Sequence, residues 1–229
     1  MLKQSFLTMN ETLCCISCNQ QVQAGIFDDT FYPNLMTILS GFIVLTFIVI
    51  GLSIAFARRY RIILLRDQVI LTPVPMLTAS LVLGIGLGGF IDGIVLHQIL
   101  QWHQMLSTQI PPVTLLAKNV NMFWDGIFHA FTWLVVFVGV VMLWRVSLRA
   151  EADRSGRLLA SGLLGGWGLF NVVEGVIDHH LLRLHNVREV TANPDVWNYG
   201  FIGFSILLLI IGYGMIPGRV RVINPGAML

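Results

Sequence analysis

Five stretches of this chain are apolar for long enough to cross a hydrocarbon core: residues 35–57, 76–100, 120–144, 158–181 and 196–216. A helical span needs roughly 20 such residues. With 55% hydrophobic and 11% charged residues and a mean hydropathy of +0.77, the chain is too apolar for a soluble domain and belongs in a bilayer. The expected fold is all-α, an integral membrane helical bundle of five transmembrane helices. A four-helix core occupies 73–216. One further helix and a basic inner loop precede it in 35–72, with an outer segment at 1–34 and an inner tail at 217–229.

Lys and Arg in the loops set the orientation. One side carries ten (Arg58, Arg59, Arg61, Arg66, Arg145, Arg149, Arg154, Arg157, Arg219, Arg221) and the other four (Lys3, Lys118, Arg183, Arg188). The C-terminus is therefore expected inside and the N-terminus outside, with every histidine in the outer half of the membrane or at its outer surface. The basic residues follow this topology rule and form no stripe for nucleic acid. Cys14, Cys15 and Cys18, all the cysteines of the chain, fall in the outer segment. They are either a disulfide with a spare thiol, or unpaired thiols, or a group for a soft ion such as Cu(I).

The apolar spans carry an expensive polar pattern twice. Asp92-Gly93-x3-His97-x5-His103 recurs as Glu174-Gly175-x3-His179-x5-His185, each position displaced by 82, and Gly84 and Gly86 correspond in the same way to Gly166 and Gly168. An ionisable group inside a lipid span costs about 2.5–3.5 kcal/mol on insertion scales, so a duplicated set calls for a compensating partner. Because one returning helix separates the two copies, they form a parallel helix–loop–helix repeat. Their glycines are expected at helix–helix contacts.

Straight-helix geometry sorts the polar groups by depth. His97, Asp125, Asp178 and His179 fall at roughly 14 Å below the outer edge, and Asp92, His129 and Glu174 about one turn deeper. His103 and His185 are placed near the surface, some 16 Å from the Asp92 layer and outside its reach, as an outer relay. Asp92 and His97 are five residues apart, as are Glu174 and His179, about 140° around an α-helix; a local distortion at Gly93 and Gly175 would bring each pair together. The candidate metal ligands are thus Asp92, His97, Asp125, His129, Glu174, Asp178 and His179, the donor set of a bundle-core metal centre. Nitrogen and oxygen donors suit Zn, Fe, Mn or Cu, and two layers have room for two ions. The bland alternatives are interfacial polar groups for His103, His180 and His185, an intrahelical hydrogen bond for Asp125 with His129, and an aromatic belt for Trp102, Trp124 and Trp197.

The segments running from Gly88 to His103, from Asp125 to His129 and from Phe170 to His185 resemble a bacterial family of predicted membrane proteins known as domain of unknown function 2243, over about residues 73–215. The resemblance implies a four-helix membrane core, the bacterial cytoplasmic membrane and no established activity. It further implies proximity to respiratory oxidase assembly, and so copper or haem biology and partner membrane proteins.

Three functions follow. The first is a membrane metalloenzyme, a hydrolase or oxidase acting on a lipid, quinone or small outer-side substrate, with Glu174 or Asp178 as general base. The second is copper binding, delivery or transport, with the cysteine tail as entry group. The third, haem held by His97 and His179, fits least well because carboxylates crowd the same layers.

Overall fold

The computed structural model describes residues 69–218 and 221–223, together with isolated positions between 24 and 51. The expected first helix at 35–57 and the cysteines Cys14, Cys15 and Cys18 lie wholly or largely outside the described residues. Four described helices are long and apolar enough to cross a membrane: Val74–Ile99, Leu115–Ser147, Gly156–Leu181 and Pro194–Gly214.

Each helix begins where its sequence supplies a start. Pro73 and Pro75 open α1, Val74–Ile91, at positions whose N–H groups have no intrahelical partner. Thr114 caps α2, Leu115–Ser147, by accepting from the Ala117 N–H, and Ser155 caps α3, Gly156–Glu174, by accepting from the Leu158 N–H. Pro194 is the first residue of α4, Pro194–Gly214. At one end of the bundle Val69–Ile70 (β1) pairs antiparallel with Val222–Ile223 (β2), and Thr72 bridges to Ala152 in the α2–α3 connection. The segments before α1, between α2 and α3 and after α4 therefore share one end, so the helices alternate up and down. The other end, reached by the C-termini of α1 and α3, carries the long connections and the histidines.

The most extensive interface joins α1 to α3, with α2 against α1 and α4 against α3. That central contact depends on glycine. A Cβ on Gly84 would collide with the Leu163 carbonyl oxygen, and one on Gly166 with the Leu81 carbonyl oxygen and, at 2.7 Å, the Ile85 nitrogen. The two backbones touch, which is the usual means of helix association in lipid, where dispersion rather than hydrophobic exclusion draws helices together. Gly86 and Gly168 do the same toward α2 and α4, each meeting a main-chain atom of its neighbour at 2.7 Å. Away from these contacts the surface is greasy: Trp133, Leu134, Phe137, Val140 and Trp144 of α2 are exposed, as expected of a lipid-facing helix. Trp124 departs from the aromatic-belt expectation, since it is 3% exposed and lies in the core with Phe128 and Phe170.

Candidate metal centre

Both central helices change pitch at the same place. After Ile91, α1 continues as a π-helix over Asp92–Ile99, and after Glu174, α3 continues as a π-helix over Gly175–Leu181. In that wider turn the backbone closes i to i+5, as in Leu100 N–H to Val95 O at 2.8 Å and Leu182 N–H to Ile177 O at 2.8 Å. Residues five apart then stand nearly above one another. The angular mismatch between Asp92 and His97 disappears: His97 Nε2 lies 3.0 Å from Asp92 Oδ2.

Beyond the π-helices the chain reverses. Gln101 and Arg183 take φ of 50° and 49°, the only described non-glycine residues in the left-handed region. They turn His103 and His185 back into the protein, where each is no more than 2% exposed. The expected surface position of these two histidines is therefore wrong. A straight helix would have carried His103 far from Asp92; instead its Nε2 is 3.9 Å from Asp92 Oδ1, and His185 Nε2 is 3.8 Å from Glu174 Oε1. The two rings stack at 4.5 Å with planes 3° apart.

The ring nitrogens of these histidines have divided duties. His103 Nδ1 donates to the Val187 carbonyl at 2.8 Å and His185 Nδ1 donates to the Met105 carbonyl at 3.0 Å, so each ring grips the opposite loop. His97 Nδ1 is held by Asp125 Oδ1 at 3.0 Å, and the same oxygen accepts from the Met105 N–H at 2.8 Å. With Nδ1 occupied, neutral imidazole presents a bare lone pair at Nε2. Among the described residues, all three Nε2 atoms are buried without a hydrogen-bond partner, as are Asp92 Oδ1 and Oδ2 and Glu174 Oε2. His97 Nε2 and Asp92 Oδ2 are close in distance but not aligned as donor and acceptor. Burial, together with the neighbouring His103, His179 and His97, holds His185 well below the ordinary imidazole range, which keeps that lone pair free.

One ligand atom each from His97, His103, Glu174 and His185, all buried, lie within 4.8 Å of one another, a group that can hold a metal ion. Donor atoms on one ion at bond lengths of about 2.0–2.2 Å are about 3–4 Å apart. The orphaned nitrogens and the carboxylate fit such an ion in chemistry and, with a small contraction, in spacing. Around this group stand Asp92 and also His179, whose ring lies 4.9 Å from that of His185 and whose two nitrogens are both buried without partners among the described residues. Asp178 is buried with Oδ1 unpartnered. Asp125 acts on His97 through its Nδ1. His129 is not brought in: its Nδ1 donates to the Asp125 main-chain carbonyl at 2.7 Å, and its ring is half-buried beside Phe90. His180 likewise donates to the Gly175 carbonyl of its own helix, at 2.7 Å.

The connections close over the histidines. Thr108 N–H donates to Leu184 O and Glu189 N–H to Trp102 O, both at 3.0 Å. Glu189 receives hydrogen bonds from Ser107, Thr108 and the side chain and main chain of Asn186. Asn121 Oδ1 accepts from the Leu106 N–H at 2.9 Å and Asn198 Oδ1 from the Val187 N–H at 2.9 Å, fastening one loop to α2 and the other to α4. Beside the centre lies a cavity of about 450 Å³ between α1, α3 and α4, with Asp92 and Asn171 as its polar lining.

The chain belongs to the predicted membrane protein family of domain of unknown function 2243 (DUF2243), whose model matches residues 79–218 and so takes in the first described span from residue 79 onward and the whole of the other three. No curated protein and no solved structure matches it.

Proposed function

We propose that this member of a membrane family without a known activity is a metalloprotein, with a divalent first-row transition ion held by the Nε2 atoms of His97, His103 and His185 and by Glu174. One observation carries the reading: three buried imidazoles each spend Nδ1 on a carbonyl or carboxylate and leave Nε2 unpartnered beside the same carboxylates. Metal-ligating histidines are oriented in this manner, with the outer nitrogen fixing tautomer and ring angle. Imidazole with carboxylate suits Zn, Fe, Mn or Cu(II).

The reaction class that fits best is metal-dependent catalysis on a small or apolar substrate. A bound ion supplies Lewis acidity and lowers the pKa of water toward about 7. Asp92 lines both the ion group and the cavity, and so can hold or move a proton on a molecule bound there. Glu174 serves as ligand, and Asp178, the other base expected from sequence, is buried with its Oδ1 unpartnered among the described residues. The segments 82 residues apart, with their matching π-helices, left-handed turns and histidine-to-loop hydrogen bonds, are read as a duplication. The loop charges favour a bacterial inner-membrane protein with the histidine end outward.

Ion delivery is the second reading, favoured by His179, which offers two free nitrogens next to His185. Haem fits poorly: the rings of His103 and His185 stack directly on each other, with His97 and His179 edge-on beside them, and leave no flat slot.

Elemental analysis of the protein purified in detergent tests the reading. The native protein should hold a transition metal, His103→Ala and His185→Ala should lose most of it, and His129→Ala should keep it. Full retention in both loop-histidine variants would overturn the ligand set, and a metal-free native protein the reading itself.

A further inference from the structure

The cavity beside the ion group has a lining of unusual composition. Trp102, Trp167, Trp197, Phe201 and Phe204 supply its walls, and its polar groups are Asp92 and Asn171. Its volume of about 450 Å³ lies in the usual span of roughly 300–1,000 Å³ for small-molecule sites. Between Trp197 and Phe204 on α4 it extends seven residues, or about 10 Å along the membrane normal. Ile91, Val196, Gly200 and Phe204 on its rim are all exposed, so the slot opens sideways between α1 and α4 into the region where lipid lies. At the histidine end Arg188 sits 5.3 Å over the Trp102 ring and 5.0 Å over the Trp197 ring.

Two facts select the occupant. The first is acceptor chemistry: Asn171 is 2% exposed with Oδ1 unpartnered, and Asp92 is 3% exposed with neither oxygen in an aligned hydrogen bond. A plain acyl chain drawn against them would leave these oxygens unsatisfied, a cost that a ligand hydroxyl lowers by donating to the Asn171 oxygen. The second is the wall, because aromatic faces and edges receive a planar ring in offset or edge-on contact.

We infer that this cavity binds an apolar phenol of the quinol type, entering from the bilayer between α1 and α4 and donating its hydroxyl proton to Asn171 Oδ1, with Asp92 beside it. The inference deepens the metalloenzyme reading and rests on it for the role of the bound molecule, since Asp92 brings the hydroxyl to the edge of the ion group. The binding itself requires only the cavity and the Asn171 acceptor.

The test compares 4-nonylphenol with 4-nonylanisole, which has the same ring and chain but no donor, by tryptophan fluorescence of the full chain in detergent micelles. The phenol should bind about ten-fold or more tightly than the ether. Asn171→Leu, close in size, should bring the two within about two-fold. Gly200→Leu should weaken both, since a Cβ on Gly200 meets nothing within 4 Å and its side chain has the cavity rim to occupy without disturbing the fold. Equal affinity of wild-type protein for both probes, a preference that survives Asn171→Leu, or unchanged binding by Gly200→Leu would each overturn the inference. Metal content measured on the same samples separates it from the reading beneath: a phenol preference in a metal-free native protein would sink the ion alone, and an ion without a preference would sink the cavity ligand alone.

Discussion

Asp125 offers the sharpest test of whether the imidazoles are arranged for an ion. Its Oδ1 accepts from His97 Nδ1 at 3.0 Å and from the Met105 N–H at 2.8 Å, in a site where Asp125 is 1% exposed. Asp125→Asn keeps an oxygen for both donors but removes the charge that makes His97 Nε2 a strong donor to an ion. Loss of such outer partners generally lowers metal affinity about 10–100-fold, equivalent to about 1.4–2.7 kcal/mol. Asp125→Ala goes further and strands a buried N–H and an imidazole nitrogen, at about 1–3 kcal/mol of stability for each group. Competition of the loaded protein with a chromophoric chelator in detergent reads the affinity, and the thermal midpoint reads the stability. His129→Ala is the control, because among the described residues its ring bonds to a carbonyl of its own helix and to no member of the ion group. Should Asp125→Asn hold its ion as firmly as this control, His97 is not a ligand and the group collapses to its loop histidines.

Gly166→Ala should destabilise the bundle by about 1–3 kcal/mol, the usual cost of overpacking, because its Cβ would enter the Leu81 carbonyl and the Ile85 nitrogen; Gly165→Ala, whose Cβ meets nothing within 4 Å, should not. Equal thermal midpoints for the two variants would refute the backbone contact. Glu189 predicts a pH effect on the loops. Burial pushes its carboxyl up, but hydrogen bonds from Thr108, Asn186 and Ser107 outweigh this and hold it below the ordinary glutamate range. A carboxyl depressed on folding stabilises above its unfolded value, and that stability is lost as pH falls through the lower folded value. Hydrogen exchange at Thr108 and Asn186, taken relative to the intrinsic rate at each pH, should therefore accelerate on acidification below about pH 4. In Glu189→Gln the acceleration should be absent, and an identical pH profile in that variant would rule the carboxyl out.

Much of this arrangement is legible in the sequence because its physics is local. Long apolar runs, Pro73, Thr114, Ser155 and Pro194 mark the spans, and the 82-residue correspondence picks out Asp92, His97, Glu174, His179, His103 and His185. Depth is where the sequence misleads. Extending a straight helix past Ile91 and Glu174 carries His103 and His185 to the surface, whereas two π-helices and two left-handed residues return them to the carboxylates. The signal was present in the five-residue spacing of Asp92 to His97 and Glu174 to His179, which an α-helix splays and a π-helix aligns. His129 misled in the opposite direction: four residues from Asp125 it shares a face with that residue, but its ring nitrogen turns to the backbone. Nothing local tells which of two nitrogens a histidine spends on its own helix.

The two proposed halves are alike in frame and unlike in one partner, and that difference decides where an ion would settle. Met105 and Val187 are displaced by 82, and their N–H groups are received by Asp125 Oδ1 and Asn198 Oδ1 respectively. Asp125 has capacity left for His97 Nδ1, while Asn198 turns its amide to Asn186 Oδ1, and His179 gains no partner at either nitrogen. A carboxylate behind an imidazole raises its basicity as a ligand, and an amide spent elsewhere does not. The four-atom group accordingly contains His97 rather than His179, although the duplicated pattern offers both. Restoring the missing carboxylate, as Asn198→Asp, should draw His179 toward ligation and raise the ion content from one toward two per chain. Unchanged stoichiometry in that variant, with the native ion retained, would show that outer partners do not govern the choice between the halves.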